Sequence, residues 1–563
     1  IPITSSSDER RATSDERMSK HHITRSAGVM AIAISISRVL GLVRDQVFAY
    51  FFGSTAAAEA FIVAFRIPNL LRDLFAEGAL SQAYVPVITR RIMQRGEAAA
   101  WRLASMVLNW QLVLLTPIVV LGMIFASDVV KAIAGGTGGF TPEQLDMTAG
   151  LTRIMFPFIV LVSVAAVFMG TLNARHIFFV PASASSMFNV TSILVGVLAG
   201  YCIDPHFGPA AIVGWAIATL AGGFMQMAIQ LPSLWREGYR YSPVLFARES
   251  GLGEVVRNAL PGIIAASAVE VNILVNTYFA SHLDDGSVAW LNYSLRLAYL
   301  PIGLFGVGIG TAALPALSRS VTEKNLESFR EKFNHSLRLA MCFAIPSAVG
   351  MVIISPLLIS VLFERGRFSA TDTVETARVL RYYAAGLVGY AALKVIVPAF
   401  YALGEARKSM FVSFIGIVVN FILCSAFTSA GPVDLGWIDL RTRGLALATS
   451  CSAILNATIL LLMLRLLLEK RMDFRETLAG LARVGAASAI MGFGVFGLWK
   501  LFHDIGMPDL LWSSVLQLAL LVITGVLIFL AAARFLKVQE VRDMTDLILN
   551  KLYGDSTKAS REG

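Results

Sequence analysis

Eight basic side chains lie inside long apolar stretches of the sequence: Arg38, Arg44, Arg66, Arg72, Arg153, Arg296, Arg381 and Lys394. The acids in the same stretches are Asp45, Glu59, Asp73, Glu77 and Glu270, which leaves a surplus of positive charge. An arginine at the centre of a membrane helix costs about 2.5–3.5 kcal/mol on insertion scales, so these residues are expected to line a hydrated cavity rather than face lipid. The sign of the surplus selects the chemistry. A guanidinium offers a planar fork of donors that matches phosphate and carboxylate oxygens, and the reading that follows is an anionic substrate, a phosphate or diphosphate. A cavity for cationic drugs would instead hold uncompensated carboxylates.

Spacing divides the arginines. Arg38 and Asp45 stand seven residues apart, as do Arg66 and Asp73, which puts each pair on one helix face as intrahelical partners. Arg44, Arg72 and Arg296 have no partner at helical spacing and are the expected substrate-facing residues. Arg153 and Arg381 lie near span ends, where a long side chain snorkels to the interface. Lys394 is left without a role.

No other motif competes. Gly306, Gly308 and Gly310 lie in an apolar run without a preceding strand, as does the Gly492, Gly494 and Gly497 set, and both read as close helix packing. There is no phosphate-binding loop, HExxH or nucleophile elbow in the sequence. Cys202, Cys342, Cys424 and Cys451 are scattered and suit neither zinc nor a disulfide framework. No metal and no cofactor is expected, and the coupling ion is left open. Without an ATP site, uphill transport would draw on an ion gradient or on removal of product.

The elements that must position these charges are membrane helices. The chain has 563 residues, 56% hydrophobic and 15% charged, with a mean hydropathy of +0.68. Soluble domains are about 45–50% apolar and about 25% charged. A soluble enzyme, a disulfide-knit secreted domain and a disordered chain are excluded, and the continuous apolar runs exclude a β-barrel. The net charge of +9 sits in clusters at the ends of apolar runs, which marks topology rather than a nucleic-acid partner.

Fourteen spans are predicted, near 26–51, 60–89, 103–127, 149–172, 177–200, 211–234, 258–281, 288–318, 337–362, 377–403, 409–429, 444–464, 484–502 and 510–533. Pro68 and Gly78 interrupt the second, which predicts a bent or broken helix and a hinge there. The connecting segments on the side of the N-terminus hold 32 Lys and Arg against 7 on the other side, so both termini are predicted to be cytoplasmic.

The sequence also repeats. Ala60-Phe61 and Ala289-Trp290 open spans that each run to a Pro-x-x-x-Arg ending, Pro86 to Arg90 and Pro315 to Arg319, all at an offset of 229. Thr148-Ala149-x-x-x-Arg153 recurs as Thr376-Ala377-x-x-x-Arg381 at 228. Six spans per unit preserve orientation, which predicts two six-helix bundles related by a parallel repeat, with the substrate site between them. The expected organisation is a polar cytoplasmic tail (1–25), of which residues 1–17, ahead of Met18, read as a tag or upstream extension. An N-terminal bundle (26–235), a linker (236–257) and a C-terminal bundle (258–464) follow, then two extra helices (465–536) and a cytoplasmic tail (537–563).

The stretches Ser37-Arg38-Val39-Leu40-Gly41-Leu42-Val43-Arg44-Asp45, Phe65-Arg66-Ile67-Pro68-Asn69-Leu70-Leu71-Arg72 and Phe75-Ala76-Glu77-Gly78-Ala79-Leu80-Ser81-Gln82-Ala83-Tyr84-Val85-Pro86 strongly resemble the MurJ (MviN) lipid II flippase family. That family belongs to the multidrug/oligosaccharidyl-lipid/polysaccharide exporter superfamily. The resemblance continues more loosely through Asn276-Thr277, Gly286 to Trp290 and Lys394 to Tyr401, and covers residues 25–536. It implies a non-enzymatic transporter of the bacterial inner membrane, which moves an undecaprenyl-diphosphate-linked peptidoglycan precursor between leaflets in cell-wall biogenesis. Arg44, Arg72 and Arg296 match the family's diphosphate-binding cavity arginines; Arg38, Asp45 and Glu77 match other sensitive cavity positions, and Asn69 lies within the matching motif. The two extra helices would border a groove for the polyprenyl tail. Membrane lipids are implied as partners, and cell-wall synthesis proteins as a partner class without a named member. The rival readings are a flippase for another polyprenyl-diphosphate glycan and a drug exporter on the same fold.

The sequence departs from the family in places. Tyr299 and Leu295 replace acids that some relatives carry beside the arginine matching Arg296, and Asn276 stands where some relatives have an aspartate of a sodium site. Glu405-Ala406-Arg407-Lys408-Ser409 keeps the charge pattern but not the proline of the usual motif. If bidentate recognition is the role of Arg44, Arg72 and Arg296, lysine at any of them retains only part of the transport rate, above that of alanine, because a point charge lacks the fork.

Overall fold

The computed structural model describes residues 32–75, 78–246, 251–428, 440–468, 475–505 and 511–546. The expected N-terminal tail, residues 547–563 of the expected C-terminal tail, and Glu77 lie outside the described residues. Every regular element described is helical.

The chain forms two compact units, one reaching Glu270 and the other starting at Val271, with Thr137–Gly139 grouped with the second. The first unit contains α1 (32–52), α2 (Ala56–Phe75), α3 (Gly78–Arg95), α4 (Glu97–Ile124), α5 (Ala126–Ala134), α6 (Pro142–Met155), α7 (Phe158–Ala174), α8 (Phe179–Ile203), α9 (Ile212–Ala228) and the short α10 (Leu231–Arg236). Helix α11 (Leu252–Ala280) runs from the first unit into the second. The second unit continues with α12 (Ser287–Pro301), α13 (Val307–Thr322), α14 (Leu326–Phe363), α15 (Ala370–Ala402), α16 (Ala406–Phe427), α17 (Thr442–Leu467), α18 (Arg475–Asp504) and α19 (Leu511–Phe535).

Eleven of the described helices or helix pairs are long and apolar enough to cross a membrane, and the protein is a multi-pass membrane protein. Large apolar side chains point outward, among them Phe493 at 80%, Trp512 at 81% and Phe535 at 84% exposure, an arrangement suited to lipid rather than water. Three expected spans fall outside the eleven: 26–51, 60–89 and 288–318. The described part of α1 carries Arg38, Arg44 and Asp45; α2 carries Glu59, Arg66, Arg72 and Asp73; and α12 ends after 15 residues at a π-helical segment, Ile302–Gly306. The helices that hold the candidate arginines are therefore those that fall short in apolar content or in length.

The expected break at Pro68 is not where the chain divides. Pro68 is buried within a continuous α2, and the next helix begins at Gly78. A proline removes one backbone donor and kinks a helix, but packed surroundings can hold the helix on both sides of it.

The internal repeat reappears as local structure. Thr141 caps α6 in a reciprocal box with Gln144, and Ser369 caps α15 in the same way with Asp372, 228 residues on. Arg153 Nη2 donates to Ser127 Oγ at 2.8 Å, and Arg381 Nε donates to Ser355 Oγ at 3.0 Å, a bond between equivalent positions at the same offset. These two arginines thus tie their helix to the serine of the preceding element. Helix α13 begins at Val307, 229 residues after α3 begins at Gly78, and Pro86 and Pro315 lie inside the two helices at that offset. The units differ where Pro157 separates α6 from α7, whereas α15 runs unbroken through the matching Ala385.

Each unit has its own core, around Tyr84, Leu103, Phe158 and Leu172 in the first and Phe329, Phe333 and Phe400 in the second. The segment after α10 is pinned rather than loose: Asn109 Nδ2 donates to the carbonyls of Ser242 and Val244 at 3.1 and 3.0 Å, and Trp110 Nε1 to that of Leu245 at 2.8 Å. Helices α18 and α19 pack on α14 through Val484, Met491, Leu521, Phe529 and Cys342. The Arg338–Glu540 ion pair, whose carboxylate is 2% exposed, ties the chain beyond α19 to α14.

Helices α8 and α9 cross at Gly214, where a Cβ would collide with the backbone of Ala199 and Gly200. Overpacking of this kind costs about 1–3 kcal/mol. Gly214→Val should therefore lower the melting temperature of the purified protein, and an unchanged melt would mean that the crossing relaxes freely.

Candidate substrate-binding site

Two arginines of the first unit fold back on the residue that follows them. On α1, Arg44 Nε and Nη2 both donate to Asp45 Oδ1, at 3.3 and 3.0 Å. On α2, Arg72 Nε and Nη2 both donate to Asp73 Oδ1, at 3.0 and 2.7 Å. The geometry is the same in both helices. It corrects the pairing expected from spacing, in which Arg38 and Arg66 would take these aspartates and Arg44 and Arg72 would have none. Residues seven apart are separated by about 10 Å of helix rise, whereas a flexible arginine can wrap onto its neighbour.

Packing positions each pair. The Arg44 guanidinium carbon lies 5.5 Å from the centre of the Phe188 ring on α8, a cation–π approach that holds the charge against an apolar neighbour. Asn189, next to Phe188, donates to the Ser37 carbonyl at 3.1 Å and fixes α1 against α8. On α2, Asn69 Nδ2 donates to Asp73 Oδ2 at 3.3 Å, so Asp73 uses one oxygen for Arg72 and the other for Asn69. Glu270 of α11 hydrogen-bonds Asp73 and lies within electrostatic reach of Arg66 and Arg72. Both ion pairs are largely but not fully enclosed, with side-chain exposures of 18% and 12% for the first and 23% and 24% for the second.

Of the expected residues, the structure brings Arg66, Asn69 and Arg72 into one cluster and Arg44 and Asp45 into another, with Arg38 half-buried on α1. Glu270, Asp73 and Phe188 were not among them. Glu270 and Asp73 are far apart in sequence, and only their shared status as acids within spans marked them. Nothing in the sequence marked Phe188.

In the second unit, Arg296 is half-buried on α12, one turn before Tyr299, whose ring lies 5.4 Å from that of Tyr390 on α15. The π-helical segment follows directly, and such segments concentrate at functional sites. Gly310 then abuts the Lys394 backbone carbonyl, so the glycines of this run serve close packing of α13 on α15.

The sodium site of some relatives has no counterpart in the chemistry around Asn276. Asn276 Oδ1 accepts from Asn420 Nδ2 at 2.9 Å and from Cys424 Sγ at 3.6 Å, while its Nδ2 donates to Thr449 Oγ1 at 2.9 Å. Sodium is a hard cation that needs oxygen donors; here the amide oxygen is already engaged by two donors, and a thiol completes the group. These residues do not fit the ion.

If the Arg44–Asp45 pair offsets the cost of charge in the membrane, Asp45→Ala should lower stability by about 2 kcal/mol, because a largely buried guanidinium loses its carboxylate. The double variant Arg44→Ala/Asp45→Ala should recover part of that loss. Equal losses in thermal unfolding of the single and double variants would show that the pair contributes nothing.

The family model for lipid II flippase MurJ matches residues 48–516. The lipid II flippase MurJ of Burkholderia cenocepacia is 34% identical over 438 residues, covering 76% of this chain and 81% of its own length. The probable lipid II flippase MurJ of Vibrio cholerae is 32% identical over 483 residues, covering 84% and 89%. A solved structure of lipid II flippase MurJ in an inward closed conformation aligns with a TM-score of 0.72 at 25% identity, covering 90% of this chain and 98% of that one. An inward-facing multidrug resistance MATE family transporter shares the fold, with a TM-score of 0.66 at 17% identity over 79% of this chain and all of the other. With its arginine-bearing helices inside the matched region and relatives above 30% identity along most of their length, this chain belongs to the MurJ family of lipid II flippases, which are transporters and not enzymes.

Proposed function

We propose that this protein moves lipid II, the undecaprenyl-diphosphate-linked peptidoglycan precursor, from the cytoplasmic to the periplasmic leaflet of the bacterial inner membrane. The observation that carries the reading is the pair of arginines, Arg44 and Arg72, held in matching geometry on two helices of a MurJ family member. Each guanidinium has five donors and uses two of them on a single aspartate oxygen, a bond that a diphosphate oxygen can replace.

In this reading the two six-helix halves alternate access around Arg44, Arg72 and Arg296, with Arg38, Asp45, Asn69 and Glu77 completing the polar lining. The diphosphate is drawn from the cytoplasmic leaflet while the prenyl tail stays in lipid, along a groove bordered by α18 and α19. Occupancy by the anion removes repulsion among the arginines and favours closure, and the division between α2 and α3 at Gly78, together with the kink at Pro68, serves as the hinge. Both termini are cytoplasmic, as the 32-to-7 distribution of Lys and Arg supports. No cofactor enters this scheme, and membrane lipids are its only other partners. The arginines recognise a diphosphate rather than the glycan it carries, so another polyprenyl-diphosphate glycan is the second reading.

Rescue of a bacterium depleted of its own lipid II flippase tests the proposal. Wild type should restore growth, while Arg44→Ala, Arg72→Ala and Arg296→Ala, present in the membrane at equal amounts, should not. Rescue by all three variants would keep the substrate and discard the arginine site. Failure of well-expressed wild type would bring the second reading forward.

A further inference from the structure

Asp73 is the most heavily engaged acid of the first unit. Its Oδ1 receives both Arg72 donors, its Oδ2 receives Asn69, and Glu270 hydrogen-bonds the same carboxyl group. An ionised carboxylate only accepts hydrogen bonds, so a bond between two carboxyl groups requires a proton between them. Two carboxyls in such contact do not both ionise, as in other carboxyl dyads. The charged groups facing Glu270 are Asp73, Arg66 and Arg72, all on α2. With both acids ionised, the two positive and two negative charges cancel; with one proton shared, the cluster carries a net positive charge.

We propose that Asp73 and Glu270 form a proton-binding pair beside the substrate arginines, and that the diphosphate head group and one proton bind together. The proposal rests on the reading of Arg72 as a diphosphate ligand and adds a second ligand to that site. An incoming diphosphate takes donors from Arg66 and Arg72, and the two carboxylates exchange their arginines for the proton. The coupling is reciprocal: if the anion favours the proton, the proton favours the anion by the same factor. One proton taken up per ligand bound makes affinity rise by up to about tenfold for each unit of acidification. The two guanidiniums stay charged throughout, so the carboxyl pair is the only part of the cluster that responds.

The test is calorimetric binding of a short-chain prenyl-diphospho-N-acetylglucosamine to the full-length protein in lipid nanodiscs. Its diphosphate is a diester and keeps its charge from about pH 5 to 8. Repeating the titration in buffers of different ionisation heat counts the protons taken up. Wild type should take up close to one proton per ligand and bind more tightly as pH falls. Glu270→Gln keeps the side-chain shape and removes the titrating group, so it should bind without proton uptake and with an affinity that no longer follows pH. Asp73→Asn should abolish the uptake as well. Binding by wild type without proton uptake, or uptake that persists in Glu270→Gln, overturns the pair. Absence of binding by wild type at every pH instead overturns the diphosphate reading, and this proposal falls with it.

Discussion

The cost of placing a guanidinium among apolar helices governs how the first unit is built. Arg44 and Arg72 each meet it with the next residue in the chain, an aspartate that takes two N–H donors on one oxygen. A partner adjacent in sequence stays with its arginine however the helices move, so the charge remains compensated whichever way the helix faces. A partner on another helix would bind the arginine in one arrangement and expose it in another. The local pair therefore suits a helix that must carry charge through a conformational cycle.

The same constraint explains which helices are least apolar. Helices α1, α2 and α12 hold Arg38, Arg44, Arg66, Arg72 and Arg296, and these are the segments that fall short of a plain membrane span in composition or length. The helices around them carry the apolar surface, with large exposed side chains on α18 and α19. Lipid contact and polar work are thus divided between helices.

The repeat shows what two copies of one design keep and what each unit alters. The capping boxes at Thr141 and Ser369 and the serine bonds of Arg153 and Arg381 hold the same positions in the two units, because they fix where a helix starts and how it leans on its neighbour. Pro157 breaks the helix in one unit only, and the π-helical segment Ile302–Gly306 falls in the other, next to Arg296. The polar group at Asn276, Asn420, Cys424 and Thr449 is closed on itself by neutral hydrogen bonds. In the first unit the acids Asp73 and Glu270 instead stand next to arginines, where a change of charge reaches the substrate directly.

The membrane class, the all-helical fold and the anionic character of the substrate were legible in the sequence, because apolar run length, charge placement and the sign of the intramembrane surplus depend on composition and order along the chain. The register of the repeat was legible as well, since capping residues and Pro-x-x-x-Arg endings are local. Pairing was not. Spacing assigned Asp45 to Arg38 and Asp73 to Arg66 through the helical period, but side-chain length and packing gave both aspartates to the adjacent arginine. The sequence marked Pro68 as a break, yet α2 runs through it and the division falls before Gly78, because neighbouring helices hold the chain on both sides of the proline. The contact between Asp73 and Glu270, and the ring of Phe188 under Arg44, join residues more than a hundred positions apart. No periodicity encodes such distances; only the packing of α2 against α11 and of α1 against α8 brings those groups together.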